Sequence, residues 1–136
     1  MKIHLSIAIL VVLSLLLGAC GGGKTKTAAP PTLPAPPAEY AGKTNPLGLD
    51  AAGAGKQIFA TNCTSCHGEQ GHGDGPNASA LDPKPKNLAE LQKVVGDDFL
   101  FWRISEGVEG TAMPAWKGTL QEEQIWQVIA FIRTLK

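Results

Sequence analysis

The stretch CTSCHGEQGHGDGP, residues 63–76, decides how this chain of 136 residues is interpreted. Cys63 and Cys66 are separated by two residues, and His67 follows at once. This C-x-x-C-H pattern is the attachment signature of c-type haem. The spacing suits the chemistry, because two thiols must reach two vinyl groups of one porphyrin and His67 is then carried to the iron as an axial ligand. The stretch therefore predicts one covalently bound haem c.

Other uses of the same side chains fit the sequence less well. A redox C-x-x-C pair belongs in a βαβ setting, which this sequence does not suggest, and it would not need His67. A zinc site needs four ligands, and Cys63, Cys66, His67 and His72 supply that number. Their spacing is not that of a zinc ribbon, however, and no second C-x-x-C follows. A disulfide between the two cysteines would leave His67 unexplained.

The balance of charges excludes one large class of partner. The chain has 12 Lys and Arg residues against 12 Asp and Glu residues. Binding to nucleic acid would require a clustered basic excess. We therefore expect no nucleic-acid partner.

Residues 1–19 have the pattern of an export signal. Lys2 precedes an apolar run at 3–17, which is shorter than the ~20 residues that a membrane-spanning helix needs. The run ends in LGAC, residues 17–20, which resembles the lipobox of bacterial lipoproteins. That resemblance implies that Cys20 is lipidated, so that the exported protein is anchored to the outer face of the cytoplasmic membrane. An ordinary secretory signal is the alternative.

Residues 20–49 are rich in glycine and proline, with five prolines between Pro30 and Pro37. Glycine favours a flexible coil, and closely spaced prolines favour an extended chain. The segment has almost no apolar periodicity with which to build a core. We therefore predict a disordered tether at residues 20–49, followed by a folded haem domain at 50–136.

Three helical patterns occur in the predicted domain. The first covers about 51–61, with Asp50 as a plausible N-cap, and the second covers 97–106. The third follows a predicted capping box formed by Thr119 and Glu122. Its apolar residues recur at helical spacing: Ile125, Val128, Ile129, Ile132 and Leu135. Because no strand-like alternation appears, we predict an all-α fold.

Together with these helices, CTSCH and the motif MPAW at residues 113–116 resemble a class I monohaem cytochrome c. The resemblance covers about 51–136 and implies the class I cytochrome c fold, in which three or more helices surround one haem. It also implies that Gly55 and Phe59 in the first helix meet Phe131 in the last. Glycine permits the close approach of two helices, and aromatic rings fill the space beside the crossing.

Met113 is the predicted second iron ligand. It is the only methionine beyond the signal, and it stands in a loop beside Pro114. A loop methionine at this distance along the chain from His67 can reach the opposite face of the haem. His72 follows His67 too closely to pass around a haem ~10 Å wide. We therefore expect His72 to be exposed or to stabilise its loop.

The resemblance further implies that a proline carbonyl accepts a hydrogen bond from His67. The segment PKNL that begins at Pro85 is the closest match to the family pattern, with Pro76 and Pro83 as the other candidates. Three further side chains are either haem-pocket neighbours or ordinary packing residues: Trp102, Arg103 and Trp116.

A haem iron held by histidine and methionine has no open position for a substrate, which predicts a one-electron carrier rather than an enzyme. The expected partners are membrane redox complexes: a quinol oxidoreductase, a terminal oxidase or a photosynthetic reaction centre. The run GDGPNASALDPKPKNL, residues 73–88, also resembles monohaem lipoprotein subunits of the alternative complex III type. A fixed subunit of a quinol-oxidising complex is therefore a second hypothesis, and a haem sensor or peroxidase with an open iron site is a third.

Overall fold

The computed structural model describes residues 33–136, of which 34–136 form one compact unit. Its α-helices are α1 (Ala52–Asn62), α2 (Thr64–His67), α3 (Leu88–Leu91), α4 (Asp97–Glu106) and α5 (Glu122–Ile132). Among the described residues there is no β-strand, so the predicted all-α fold is confirmed. The same residues contain no helix with the length and apolar character to cross a membrane. The predicted export signal and Cys20 lie outside the described residues.

The crossing of α1 and α5 organises the core, as predicted. Gly55 is buried, and a Cβ atom at this position would overlap the backbone carbonyl of Gln127. Phe59, only 1% exposed, lies beside Phe131 with ring centroids 5.1 Å apart. Glycine therefore allows the two helix backbones to touch, and the two rings fill the adjoining space.

Helix α4 has the predicted bounds. Asp97 and Asp98 stand in its first turn, where the helix dipole favours negative charge. The helix ends at Gly107, whose φ of 70° lies in the left-handed region that glycine adopts readily. Phe101 stacks on Trp126 at a centroid distance of 4.2 Å, which fixes α4 against α5.

Both predicted helix caps are wrong. Asp50 lies inside a 3₁₀ turn, Leu49–Ala51, that runs directly into α1, so it does not stand at the N-cap. Thr119 and Leu120 donate backbone hydrogen bonds to Trp116, which keeps this segment in a turn and delays α5 until Glu122. Gln124 Oε1 instead accepts a hydrogen bond of 2.8 Å from the backbone of Gln121, the N-cap residue.

The predicted boundary between tether and domain is also wrong. Residues 34–49, here called the strap, belong to the same compact unit as the helices. Asn45 donates from its backbone N–H to Asp97 (2.9 Å) and from its side chain to the carbonyl of Trp126 (2.8 Å). Polar contacts of this kind need no apolar periodicity in the sequence. The folded part therefore begins well before Asp50.

Candidate haem-attachment site

Helix α2 brings the three residues of the C-x-x-C-H motif onto one turn. The backbone N–H groups of Cys66 and His67 both donate to the carbonyl of Cys63, over 3.2 and 2.8 Å. Cys63 and Cys66 are half-buried free thiols. Because α1 ends directly before Cys63, the α1–α5 crossing that anchors the core also fixes the position of this turn.

Burial favours the neutral forms of these side chains. It raises the pKa of the Cys63 thiol to about 12, with a smaller contribution from Cys66. A reactive redox cysteine has the opposite property, a lowered thiol pKa. Burial also lowers the pKa of His67, against the effect of its hydrogen bond to Lys86. Neutral imidazole is the form that binds a metal.

The hydrogen-bond partner of His67 is the backbone carbonyl of Lys86, 3.2 Å from Nδ1. The predicted proline carbonyl is therefore wrong by one residue, since Lys86 follows Pro85. A Cβ atom on Gly73 would meet the Pro85 and Lys86 backbone, so glycine lets the loop pack close enough to bring this carbonyl to the imidazole. With the proton on Nδ1, His67 donates to Lys86 and keeps the Nε2 lone pair free.

The long loop after His67 packs back onto α2 through its backbone. Gly73, Gly75 and Asn77 donate N–H groups to the carbonyls of His67 (2.8 Å), Cys66 (3.1 Å) and Ser65 (2.9 Å). His72 is exposed, and its Nε2 lies 3.1 Å from the backbone oxygen of Lys136. The loop thus encloses the attachment turn, while His72 contacts the end of the described chain.

Residues 107–117 are here called the Met113 loop. Met113 is half-buried, and hydrogen bonds to its backbone fix its position in this loop. The carbonyl of Met113 accepts a hydrogen bond from the N–H of Val108 (3.1 Å). Thr111 Oγ1 accepts from the N–H of Met113 (3.1 Å) and donates to the carbonyl of Val108 (2.7 Å). A Cβ atom on Gly107 would lie 2.6 Å from the carbonyl oxygen of Met113, so this close return requires glycine.

The other predicted neighbours have defined positions. The guanidinium of Arg103 lies 3.7 Å from the ring centroid of Trp102 and 5.5 Å from that of Phe99. Burial lowers the pKa of Arg103. Trp116 is half-buried against the core. Their role beside a haem stays a prediction.

Several contributors to the site were missed by sequence reasoning. The carbonyl of Lys86 has no signal in the sequence, because every residue carries one. Thr111, two residues before Met113, had a weak signal, since threonine hydroxyls often bond backbone groups two residues away.

The donor set matches the requirements of haem c. Two free thiols and one neutral imidazole, already bonded through its Nδ1, stand on a single turn. Residues 33–136 contain no group of three or more His, Cys, Asp or Glu side chains that could hold a metal ion, whereas a structural zinc site needs four ligands.

Comparison with known proteins identifies the family. Residues 50–132 match the family model described as cytochrome C oxidase, cbb3-type, subunit III. This chain belongs to that cytochrome c family. The predicted class I monohaem cytochrome c is thereby confirmed, and its cofactor is one covalently bound haem c.

Two kinds of curated relative are similar to this cytochrome. Cytochrome c6 of Tetradesmus obliquus is 34% identical over 80 residues, which cover 57% of this chain and 83% of the relative. The cbb3-type cytochrome c oxidase subunit FixP of Bradyrhizobium sp. (strain ORS 278) is 37% identical over 90 residues, 65% of this chain and 28% of the relative. Subunit CcoP of Rhodobacter capsulatus is 36% identical over 93 residues, which cover 62% of this chain and 29% of the relative. The chain thus spans less than a third of these oxidase subunits.

A solved structure with a similar fold is the reducing HAO-like protein complex Kustc0457/Kustc0458 of Kuenenia stuttgartiensis. The similarity covers 61% of this chain and 42% of that chain, with 30% sequence identity and a TM-score of 0.53.

Proposed function

We propose that this cytochrome is a one-electron carrier whose iron is held by His67 and Met113. Electron transfer through a c-type haem follows from membership of the family. The observation that supports the first ligand is the position of His67 on the same turn as Cys63 and Cys66, with its Nδ1 atom already bonded to the carbonyl of Lys86. When bound, haem c supplies the one-electron couple of its iron.

Each protein group has a distinct part in this proposal. The two thiols hold the cofactor to α2, and the carbonyl of Lys86 orients His67 through Nδ1. Met113 is supported as second ligand by its place in a loop that Gly107 and Thr111 constrain. A thioether ligand favours the reduced iron and raises the potential. If His67 and Met113 both held the iron, no position would remain for a substrate, and the haem would serve electron transfer alone.

A potentiometric titration of the purified holoprotein tests this function. We expect one reversible transition with the slope of a one-electron couple and low-spin spectra in both oxidation states. A high-spin oxidised spectrum would contradict ligation by two protein side chains and would favour the sensor or peroxidase hypothesis.

We also propose that the cytochrome is exported and held at the membrane by a lipid on Cys20. The sequence LGAC at residues 17–20 supports this, as an export signal that ends in a lipobox. Cys20→Ser should move the holoprotein from the membrane fraction to the soluble fraction while the haem spectrum stays unchanged. An unaltered membrane fraction would reject the lipid anchor without affecting the haem assignment.

The proposed partners are membrane redox complexes, and a permanent place in one of them is the second candidate function. It is supported by relatives that are named as subunits of cbb3-type cytochrome c oxidases. The resemblance of residues 73–88 to alternative complex III subunits favours a quinol-oxidising complex instead. Purification from native membranes distinguishes these cases. A carrier should purify alone, whereas a subunit should retain its large membrane partners in fixed stoichiometry, and their identity names the complex.

A further inference from the structure

The strap binds both ends of α4, although it precedes the residues that match the family model. At the start of α4, Asp97 and Asp98 accept hydrogen bonds of 2.9 Å from the backbone N–H groups of Asn45 and Gly42. At its end, the Tyr40 hydroxyl donates to the carboxylate of Glu106. The strap therefore follows the whole length of this helix.

Glu106 connects the strap to the Met113 loop. Its Oε1 atom accepts from the Tyr40 hydroxyl and also from the ammonium group of Lys117, at 2.5 Å. Lys117 ends the Met113 loop, and its backbone N–H donates to the carbonyl of Ser105 over 3.1 Å. The loop thus leaves the last turn of α4 at Gly107 and returns to that same turn. Tyr40 and Lys117 meet on one carboxylate oxygen at the point of return.

An open cleft lies beside the junction of Tyr40, Glu106 and Lys117. The cleft has a volume of about 350 Å³ and is lined by Tyr40, Phe101, Ile125, residues 117–118 and residues 120–122. Ser105 also lines it, and within residues 33–136 its buried hydroxyl has no hydrogen-bond partner. The contacts of Tyr40 and Lys117 with Glu106 therefore lie at the edge of this cleft rather than inside the packed core.

We propose that the strap is a positioning element for the Met113 loop and that Tyr40, acting through Glu106 and Lys117, holds the base of that loop. Tyr40 contacts neither proposed iron ligand, so it is a positioning residue. The proposal rests on Met113 as the second ligand. It extends the functional unit beyond the matched cytochrome domain into the segment that precedes it.

Ionisation of Tyr40 reports whether the strap is docked. The hydrogen bond to Glu106, burial and the nearby charges of Glu106 and Glu39 raise the pKa of Tyr40 to about 12. The docked phenol therefore contributes stability that is fully present below its ordinary pKa of ~10 and is lost as the pH rises through about 12. The other charged groups beside it are Lys117 and Lys43. Because the chain has a single tyrosine, the absorbance change on phenolate formation measures the ionisation of Tyr40 alone.

The decisive variant is Tyr40→Phe in the full-length holoprotein. It keeps the ring that packs against Phe101 at 6.1 Å and removes only the hydroxyl. Imidazole competes with Met113 for ferric iron, so its affinity measures how readily the loop opens. We expect an increase of about 3- to 10-fold, the shift that one lost hydrogen bond produces. Thr44→Ala, at an exposed position of the same strap, is the matched control and should leave the affinity unchanged.

Two further measurements distinguish positioning from a general loss of stability. Hydrogen exchange should accelerate at the amides of Trp116 and Lys117 in Tyr40→Phe and remain unchanged in α1. Glu106→Gln should lower the pKa of Tyr40 toward its ordinary value. The double variant should show less than the sum of the two single effects on imidazole affinity, because both changes break the same contact.

Failure of this proposal can be told apart from failure of the Met113 assignment. If Tyr40→Phe leaves both imidazole affinity and loop exchange at wild-type values, the strap does not position the loop. If Met113→Leu leaves imidazole affinity unchanged, Met113 is not the ligand. In that second case the exchange rates of Trp116 and Lys117 in Tyr40→Phe still decide whether the strap holds the loop.

Discussion

The attachment turn and the Met113 loop are held in different ways. Around α2, the returning loop is fixed by backbone hydrogen bonds, such as Gly73 N–H to His67 O at 2.8 Å and Gly75 N–H to Cys66 O at 3.1 Å. The Met113 loop also has backbone hydrogen bonds, such as Val108 N–H to Met113 O at 3.1 Å. It adds side-chain contacts: the Thr111 hydroxyl within the loop, and Tyr40, Glu106 and Lys117 at its base.

This difference predicts which substitutions disrupt the fold and which change only how readily the Met113 loop opens. Backbone contacts that rely on glycine leave no room for an added atom, so substitutions there should disrupt the fold. Contacts made by side chains can be removed one at a time, each with a small effect on loop opening. The packing around the attachment turn therefore cannot be changed without disrupting the fold, whereas the Met113 loop also has side-chain contacts through which its hold on the proposed second ligand can be varied.

The largest effect should come from Gly75→Ala. A Cβ atom at Gly75 would overlap the backbone carbonyls of Thr64 and Ser65, so α2 and the loop must separate. We expect a loss of more than ~3 kcal/mol in the free energy of unfolding of the holoprotein, measured in guanidinium chloride. Gly53→Ala is the matched control, because this exposed position in α1 has no atom within 4 Å. At this position alanine should raise the free energy of unfolding by about 0.5–1 kcal/mol. Similar losses in both variants would refute the backbone account.

Met113→Ala should change the haem more than the fold. Removal of the thioether should lower the reduction potential by more than ~60 mV, a tenfold change in equilibrium constant for one electron. The same variant should bind carbon monoxide when reduced. Potentiometric titration beside Thr44→Ala checks the shift, and an unchanged potential would exclude Met113 as a ligand.

Thr111→Val should have a smaller effect, confined to the Met113 loop. It removes the hydroxyl that links the Met113 N–H (3.1 Å) to the Val108 carbonyl (2.7 Å). We expect a cost of about 1 kcal/mol for loop closure, seen as higher imidazole affinity. Thr111→Ser keeps the hydroxyl and should behave as wild type. If serine behaves like valine, the hydroxyl does not fix Met113.

The smallest effect should come from a surface contact that belongs to neither the attachment turn nor the Met113 loop. Glu90 and Lys93 form an ion pair of 2.8 Å, with side chains 67% and 50% exposed. Such surface pairs contribute little, so Glu90→Gln should change the free energy of unfolding by less than ~0.5 kcal/mol. A larger change would mean that surface ion pairs contribute substantially to the free energy of unfolding of this small domain.

The sequence predicted the three longest helices and the attachment turn well, although it missed the short helix α3 (Leu88–Leu91). The two aspartates and Gly107 mark the ends of α4, and the resemblance to class I cytochromes pointed to Gly55 and Phe59 at the crossing with α5. The start of α5 was harder to predict. The pair Thr119 and Glu122 fits the spacing of a capping box, and so does the pair Gln121 and Gln124. Only the turn at Trp116 decides between them.

The strap was mistaken for tether because its contacts are distant and polar. Asn45 bonds residues that follow it by 52 and 81 positions, and Tyr40 bonds one that follows by 66. Such pairs leave no periodicity for sequence analysis to detect. The proline-rich composition that indicates an extended chain is equally compatible with an extended chain lying on a helix.

The reaction of the reduced wild-type holoprotein with carbon monoxide shows whether two protein side chains hold the iron. If His67 and Met113 both bind the iron, the visible spectrum of the ferrous protein should not change under carbon monoxide, whereas Met113→Ala should form the complex readily. Rapid formation of the complex by the wild-type protein would contradict the carrier and indicate an iron site that is open to ligands.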